Sequence, residues 1–174
     1  EGDTRRRTEE LRSKVRMLDA ALEQSERELE AASATARPAL VRKTAALLRE
    51  HPERRARAAQ LFTEAVAIVP EDPSAAASLE RVTWLLGDLD ALARALAHRA
   101  AHTASPPERA RHLTRLAGVH AARGDTRAAA DACAQLIVIA PHHREGAARL
   151  HRAASRLGDL TLLVHKGVEF EKAG

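Results

Sequence analysis

Leu86-Gly87-Asp88-Leu89, Arg123-Gly124-Asp125-Thr126 and Leu157-Gly158-Asp159-Leu160 are one phrase written three times, at intervals of 37 and 34 residues. Each Gly-Asp pair ends one helical stretch and opens another. Glycine is the residue that takes a left-handed C′ position at low cost, and aspartate accepts hydrogen bonds from the orphan amides of a new helix. One interval further back, the phrase is replaced by His51-Pro52-Glu53-Arg54. A period near 34 residues marks a stack of helical hairpins, because no single hairpin can bury its own apolar face.

Working outward from these turns phases the chain. Helices are expected near 39–51 and 54–69, 74–86 and 89–102, 107–122 and 126–140, and 143–157 and 160–172. Asp72-Pro73 places a cap before a proline at the first helical position. Ser105-Pro106-Pro107-Glu108 reads as a capping box and carries the three residues that lengthen one interval. Ahead of the array, residues 4–35 read as one long helix of ~45 Å. Leu11, Val15, Leu18, Leu22 and Leu29 form its heptad stripe, with Ser25 in the skipped place and Arg37-Pro38 as the break. That stripe suits either packing along the end of the array or a coiled-coil seam for self-association through residues 4–35.

The composition agrees with an all-α chain. Ala, Leu and Arg dominate the 174 residues, with no Tyr, two Phe and one Trp, and these favour helix over alternating strands. The Ala/Arg bias points to a GC-rich genome. The net charge of +4 comes from 28 basic and 24 acidic residues mixed along the chain, the pattern of solvated helix faces. No apolar run approaches the ~20 residues of a membrane span. No leader is visible, and the start at Glu-Gly-Asp predicts a fragment of a longer protein; a cytoplasmic location is expected.

Catalytic and metal chemistry finds little footing. Cys133 sits at a core position of an Ala-rich helix and reads as packing. His98 and His102 are four apart but lack further zinc ligands at suggestive spacing, and His142-His143 reads as loop. No phosphate-cradling glycine loop is present. The chain is expected to be no enzyme and to use no cofactor or metal. With almost no stacking aromatics the chain lacks the means for sequence-specific nucleic-acid recognition, which leaves non-specific backbone contact as its nucleic-acid alternative.

The hairpins resemble the tetratricopeptide repeat (TPR). The third unit carries the likeness best, through Leu113, Leu116-Ala117, Gly124-Asp125, Ala129 and Pro141, with His120 and Cys133 where the family has aromatics. The first matches through Ala46, Ala58, Phe62, Ala65 and Pro70. The second keeps Leu79, Gly87-Asp88, Leu92 and Leu96, with Arg99 and no closing proline. The fourth keeps Ala147, Leu150 and Gly158-Asp159 and is cut short. The likeness spans roughly residues 39–172; other helical-hairpin solenoids share its period. It implies a right-handed superhelical α-solenoid of about four hairpins over residues 38–174, after an N-terminal helix over 1–37. The expected core is Leu47, Leu48, Leu61, Phe62, Val66, Leu79, Val82, Leu86, Leu116, Val119, Leu136, Ile137 and Leu150. Leu160, Leu163, Val164 and Val168 would form the apolar stripe of the last helix.

The resemblance also implies a function, a scaffold that binds a protein segment along the first helices of its hairpins. Carried over by position, that surface comprises Lys43, Leu47, Glu50 and His51, then Ser78, Arg81, Trp84 and Leu85. Arg111, Thr114, Arg115 and Gly118 follow, then Ala148, Arg152, Ser155 and Arg156. Arginine predominates, so the implied partner is acidic. One subset of the family holds a terminal carboxylate with two Asn and basic residues. Lys43, Arg111 and Arg115 stand at its basic positions, but Leu47 and Ser78 replace the amides. Trp84 is either a packing residue between hairpins or a binding anchor. A regulatory segment of a larger enzyme or signalling protein is a further alternative.

Overall fold

The computed structural model describes residues 2–33, 35–49, 51–159 and 161–162, without the side chain of Asp3. Its elements are α1 (Gly2–Glu30), α2 (Arg37–Arg49), a single 3₁₀ turn (Pro52–Arg54), α3 (Arg55–Ile68), α4 (Pro73–Leu86), α5 (Leu89–His102), α6 (Pro106–Ala122), α7 (Thr126–Ile139) and α8 (Arg144–Leu157). No strand occurs among the described residues. The chain divides into two compact units, Glu1–Val69 and Pro70–Gly174.

In the first unit, α2 packs on both α1 and α3. The heptad stripe of α1 is split. Leu22, Ser25 and Leu29 are buried, whereas Leu11, Val15 and Leu18 are 58%, 53% and 44% exposed. Ser25 is no idle gap in the seam, because its hydroxyl meets that of Thr44 on α2 at 2.7 Å. The helix ends at Glu30 instead of 35, and α2 begins at Arg37, with Pro38 inside its first turn. A proline is tolerated there because its missing N–H would have had no helical partner. Arg37 reaches Glu64 of α3 at 2.5 Å. The hairpin α2–α3 turns on the 3₁₀ segment in place of a Gly-Asp pair.

In the second unit, α4 to α8 pack each on the next, and all but α6 have 14 residues. All three Gly-Asp turns have the expected geometry. Gly87, Gly124 and Gly158 have φ of +70°, +77° and +65°. The N–H of each following aspartate returns to the carbonyl five residues back, on Thr83, His120 and Ala154, as in a Schellman closure. Asp88 and Asp125 then accept the N–H of Ala91 and Ala128 at 2.9 and 3.0 Å. Asp72 caps α4 through the N–H of Ser74 and Ala75.

Two caps differ from expectation. The Ser105 side chain makes no capping hydrogen bond. With Pro107 at the second helical position, one of the two amides it could have accepted does not exist. His143, expected as plain loop, caps α8 by accepting the Gly146 N–H on Nδ1 at 3.0 Å.

The core of this unit is Leu92, Leu96, Leu113, Leu116, Leu136, Ile137 and Leu150, spaced by buried alanines and by Cys133. Small residues let helix backbones approach while leucines fill the remaining space. The expected core holds except at Leu86, which is exposed at the end of α4, and at Leu47, which is half-buried. Glu50, Leu160, Leu163, Val164 and Val168, and the expected helix 160–172 save for Thr161 and Leu162, lie outside the described residues.

Candidate functional site

Helical spacing puts Arg81, Trp84 and Leu85 on one exposed face of α4. Trp84 is 63% exposed, so it is no packing residue within its unit. Its ring borders a hollow of about 250 Å³ together with Leu89, Leu92, Arg115, Gly118, Val119 and Ala122. A larger hollow, about 430 Å³, is lined by Ala117, Gly118 and Ala121 of α6, Thr126, Ala129 and Cys133 of α7, and Arg149, Arg152 and Arg156 of α8, with Gly124 and Ala153. Gly118 belongs to both, so the two hollows meet at the one position of α6 that has no side chain.

Of the seven basic and aromatic residues expected on the binding surface, four line this pair of hollows: Trp84, Arg115, Arg152 and Arg156. Arg81 and Arg111 are exposed on α4 and α6 and line neither. Lys43 belongs to the first unit, where it is exposed and pairs with Glu28 of α1 at 3.4 Å. A hydrogen bond from Gln24 and the ammonium of Lys43 hold the Glu28 carboxyl below its ordinary value.

The basic surface is less uniformly positive than the arginine count implied. Glu80 of α4, 5% exposed, is held by both Arg99 of α5 and Arg115 of α6. A buried carboxylate needs such partners to stay charged, and Arg115 is thereby committed to it. His112 of α6 lies beside this group. It is buried, its Nδ1 has no hydrogen-bond partner among the described residues, and burial pushes its pKa down, with Arg99 and Arg115 adding to the effect and Glu80 and Glu108 opposing it. Arg149 was missed by the sequence reading. It pairs with Glu145 at 2.5 Å, and its guanidinium lies 3.5 Å from where a Cβ on Gly118 would stand. The i, i+3, i+7 spacing of Arg149, Arg152 and Arg156 was the available signal.

Cys133 forms part of the hollow's floor, but it is 1% exposed and burial raises its thiol pKa, which keeps it protonated and unreactive. His98 and His102 stack with ring centroids 4.2 Å apart. Each turns a ring nitrogen to a backbone carbonyl, of Pro70 and His98 respectively. No group of three or more His, Cys, Asp or Glu among the described residues could hold a metal ion, and no described helix is long and apolar enough to cross a membrane.

No family model matches the sequence, and no curated protein does. Among solved structures, the chain is similar to two of MamA. One is 17% identical, with 94% of this chain and 87% of that chain covered and a TM-score of 0.49. The other is 18% identical, with 90% of each covered and a TM-score of 0.47. It is also similar to a Podosopora anserina putative kinesin light chain with nearly identical TPR-like repeats, 21% identical, with 90% and 88% covered and a TM-score of 0.46.

Proposed function

We propose that this chain is a non-enzymatic protein-interaction scaffold, and that the face running from Trp84 over Gly118 to Arg152 and Arg156 receives an acidic segment of a partner protein. One observation carries this reading: a largely exposed tryptophan and two arginines border adjoining hollows that share a side-chain-free position. An exposed indole beside a hollow is the kind of anchor that dominates interface energetics. Guanidinium forks supply charge-assisted bonds to carboxylates along the same line. Selection of peptides from a randomised displayed library tests it. Enriched peptides are expected to be acidic and to protect Gly118 and Trp84 in hydrogen exchange. Trp84→Ala with Arg152→Glu should weaken them at least tenfold while the helical melt stays in place. Enrichment of neutral peptides, or binding indifferent to both changes, overturns the reading; tight, steeply salt-dependent binding of a generic duplex that survives Trp84→Ala favours a nucleic-acid partner instead.

A second role, self-association through α1, is favoured by the uncovered half of its stripe. Leu11, Val15 and Leu18 continue the line of Leu22 and Leu29 but have no cover, and a second copy of the helix would supply one. Sedimentation of the whole chain carrying Leu11→Asp and Leu18→Asp checks this. A mass unchanged from that of the parent chain removes the idea.

A further inference from the structure

The three arginines of α8 differ in how much of their charge is already used. Arg149 is engaged by Glu145, whereas neither Arg152 nor Arg156 meets a carboxylate among the described residues. Two guanidiniums one helical turn apart therefore line a hollow of about 430 Å³ with no described carboxylate against them. Its floor is Ala117, Gly118, Ala121, Ala129 and the buried Cys133, small residues that leave the space open, and the hydroxyl-bearing Thr126 lines it as well. A single carboxylate would offer this pair one charge and two oxygens. A phosphomonoester offers close to two charges at neutral pH and three acceptor oxygens, enough for both forks at once. The hollow beside them leaves room for the side chain that carries the phosphate.

We infer that the hollow between α6, α7 and α8 is a phosphoresidue pocket, in which Arg152 and Arg156 clamp the phosphate of a phosphorylated serine or threonine on the bound partner segment. The inference rests on the protein-interaction reading but names one position on the partner and one chemistry, and it leaves Trp84 to the rest of the segment.

The test is a nuclear magnetic resonance titration of the whole chain with four probes: a glycine-flanked phosphoserine peptide, its serine and glutamate counterparts, and inorganic phosphate. The phosphopeptide should move the Gly118 and Thr126 amides and the side-chain resonances of Arg152 and Arg156. It should bind at least tenfold more tightly than the serine peptide and several-fold more tightly than the glutamate peptide. Arg152→Ala or Arg156→Ala should remove that preference. Lysine at both positions keeps the charge but loses the forks, and should restore only part of it. Trp84→Ala should leave binding of this short probe unchanged. Below pH ~6 affinity should drop as the phosphate dianion takes up a proton and becomes the monoanion. Equal binding of the glutamate peptide overturns the pocket while leaving the acidic-segment reading intact. Inorganic phosphate binding as tightly as the phosphopeptide overturns the assignment to a partner side chain, and shifts that bypass Gly118 overturn the location.

Discussion

Arg115 on α6 closes onto Glu80 on α4 across 35 positions of sequence, and Arg99 of α5 reaches the same carboxylate from the other side. One buried acid thus ties three helices together. Removing it should be costly, because Arg99 is itself mostly buried and would be left without an acceptor. Glu80→Ala is expected to destabilise the second unit by roughly 3 kcal/mol, read as a lower urea midpoint with an unchanged slope. Arg115→Ala should cost less, since that side chain is half exposed and Glu80 keeps Arg99.

His112 beside this group should make stability depend on pH. Its folded pKa lies below the ordinary 6.5 because burial, and then Arg99, disfavour the charged ring. Between the two values the unfolded chain binds a proton that the folded chain does not, so stability falls as pH drops. The contribution is whole above pH 6.5 and is lost progressively below it, towards the folded value. Urea midpoints at pH 7.5 and 5.8 should differ in the parent chain, and that difference should shrink in His112→Leu.

Two glycines should respond to alanine for different reasons. At Gly124 a Cβ would meet nothing within 4 Å, but φ is +77°, so the change costs about 1 kcal/mol of backbone strain. At Gly146 the added Cβ would stand 2.8 Å from Leu136 Cδ2 and 3.1 Å from the capping His143 ring. Crowding of the α7–α8 contact there should cost about 1–3 kcal/mol. Thermal melts of both variants check the pair. Asparagine, which tolerates the left-handed region, should recover part of the loss at 124 and none at 146.

The Ser25–Thr44 hydroxyl pair should show coupling. Thr44→Val strands the buried Ser25 hydroxyl, at roughly 1–2 kcal/mol; Ser25→Ala should cost less, because the Thr44 hydroxyl keeps the carbonyl of residue 25 at 3.4 Å. The double change removes both groups and should cost clearly less than the two singles together. Denaturation of the four chains gives the cycle, and strict additivity would mean that the hydroxyls act independently.

Much of the fold was legible in short windows of sequence. The left-handed glycine and the aspartate cap depend only on residues within one helical turn, so Gly87-Asp88, Gly124-Asp125 and Gly158-Asp159 announced their geometry unaided. Helical periodicity likewise put Leu79, Val82, Leu136 and Leu150 in the core, whereas Leu92, Leu96 and Leu113, just as buried, were not among the expected core residues. Ser105 misled because its motif looked complete while the adjacent prolines had removed a donor.

What only the tertiary structure decided is which charges are already spent. Arg115, Arg149, Arg152 and Arg156 look alike in sequence, each a basic residue on an amphipathic helix. Packing delivered Glu80 to the first and helical spacing brought Glu145 to the second, and the last two were left facing a hollow. An ion pair between distant helices is set by how those helices cross, and local sequence holds no record of the crossing. The turns, and through them the repeat, belong to the sequence by itself. The pairing of Ser25 with Thr44, the commitment of Arg115 and the exposure of Trp84 had to wait for the helices to pack.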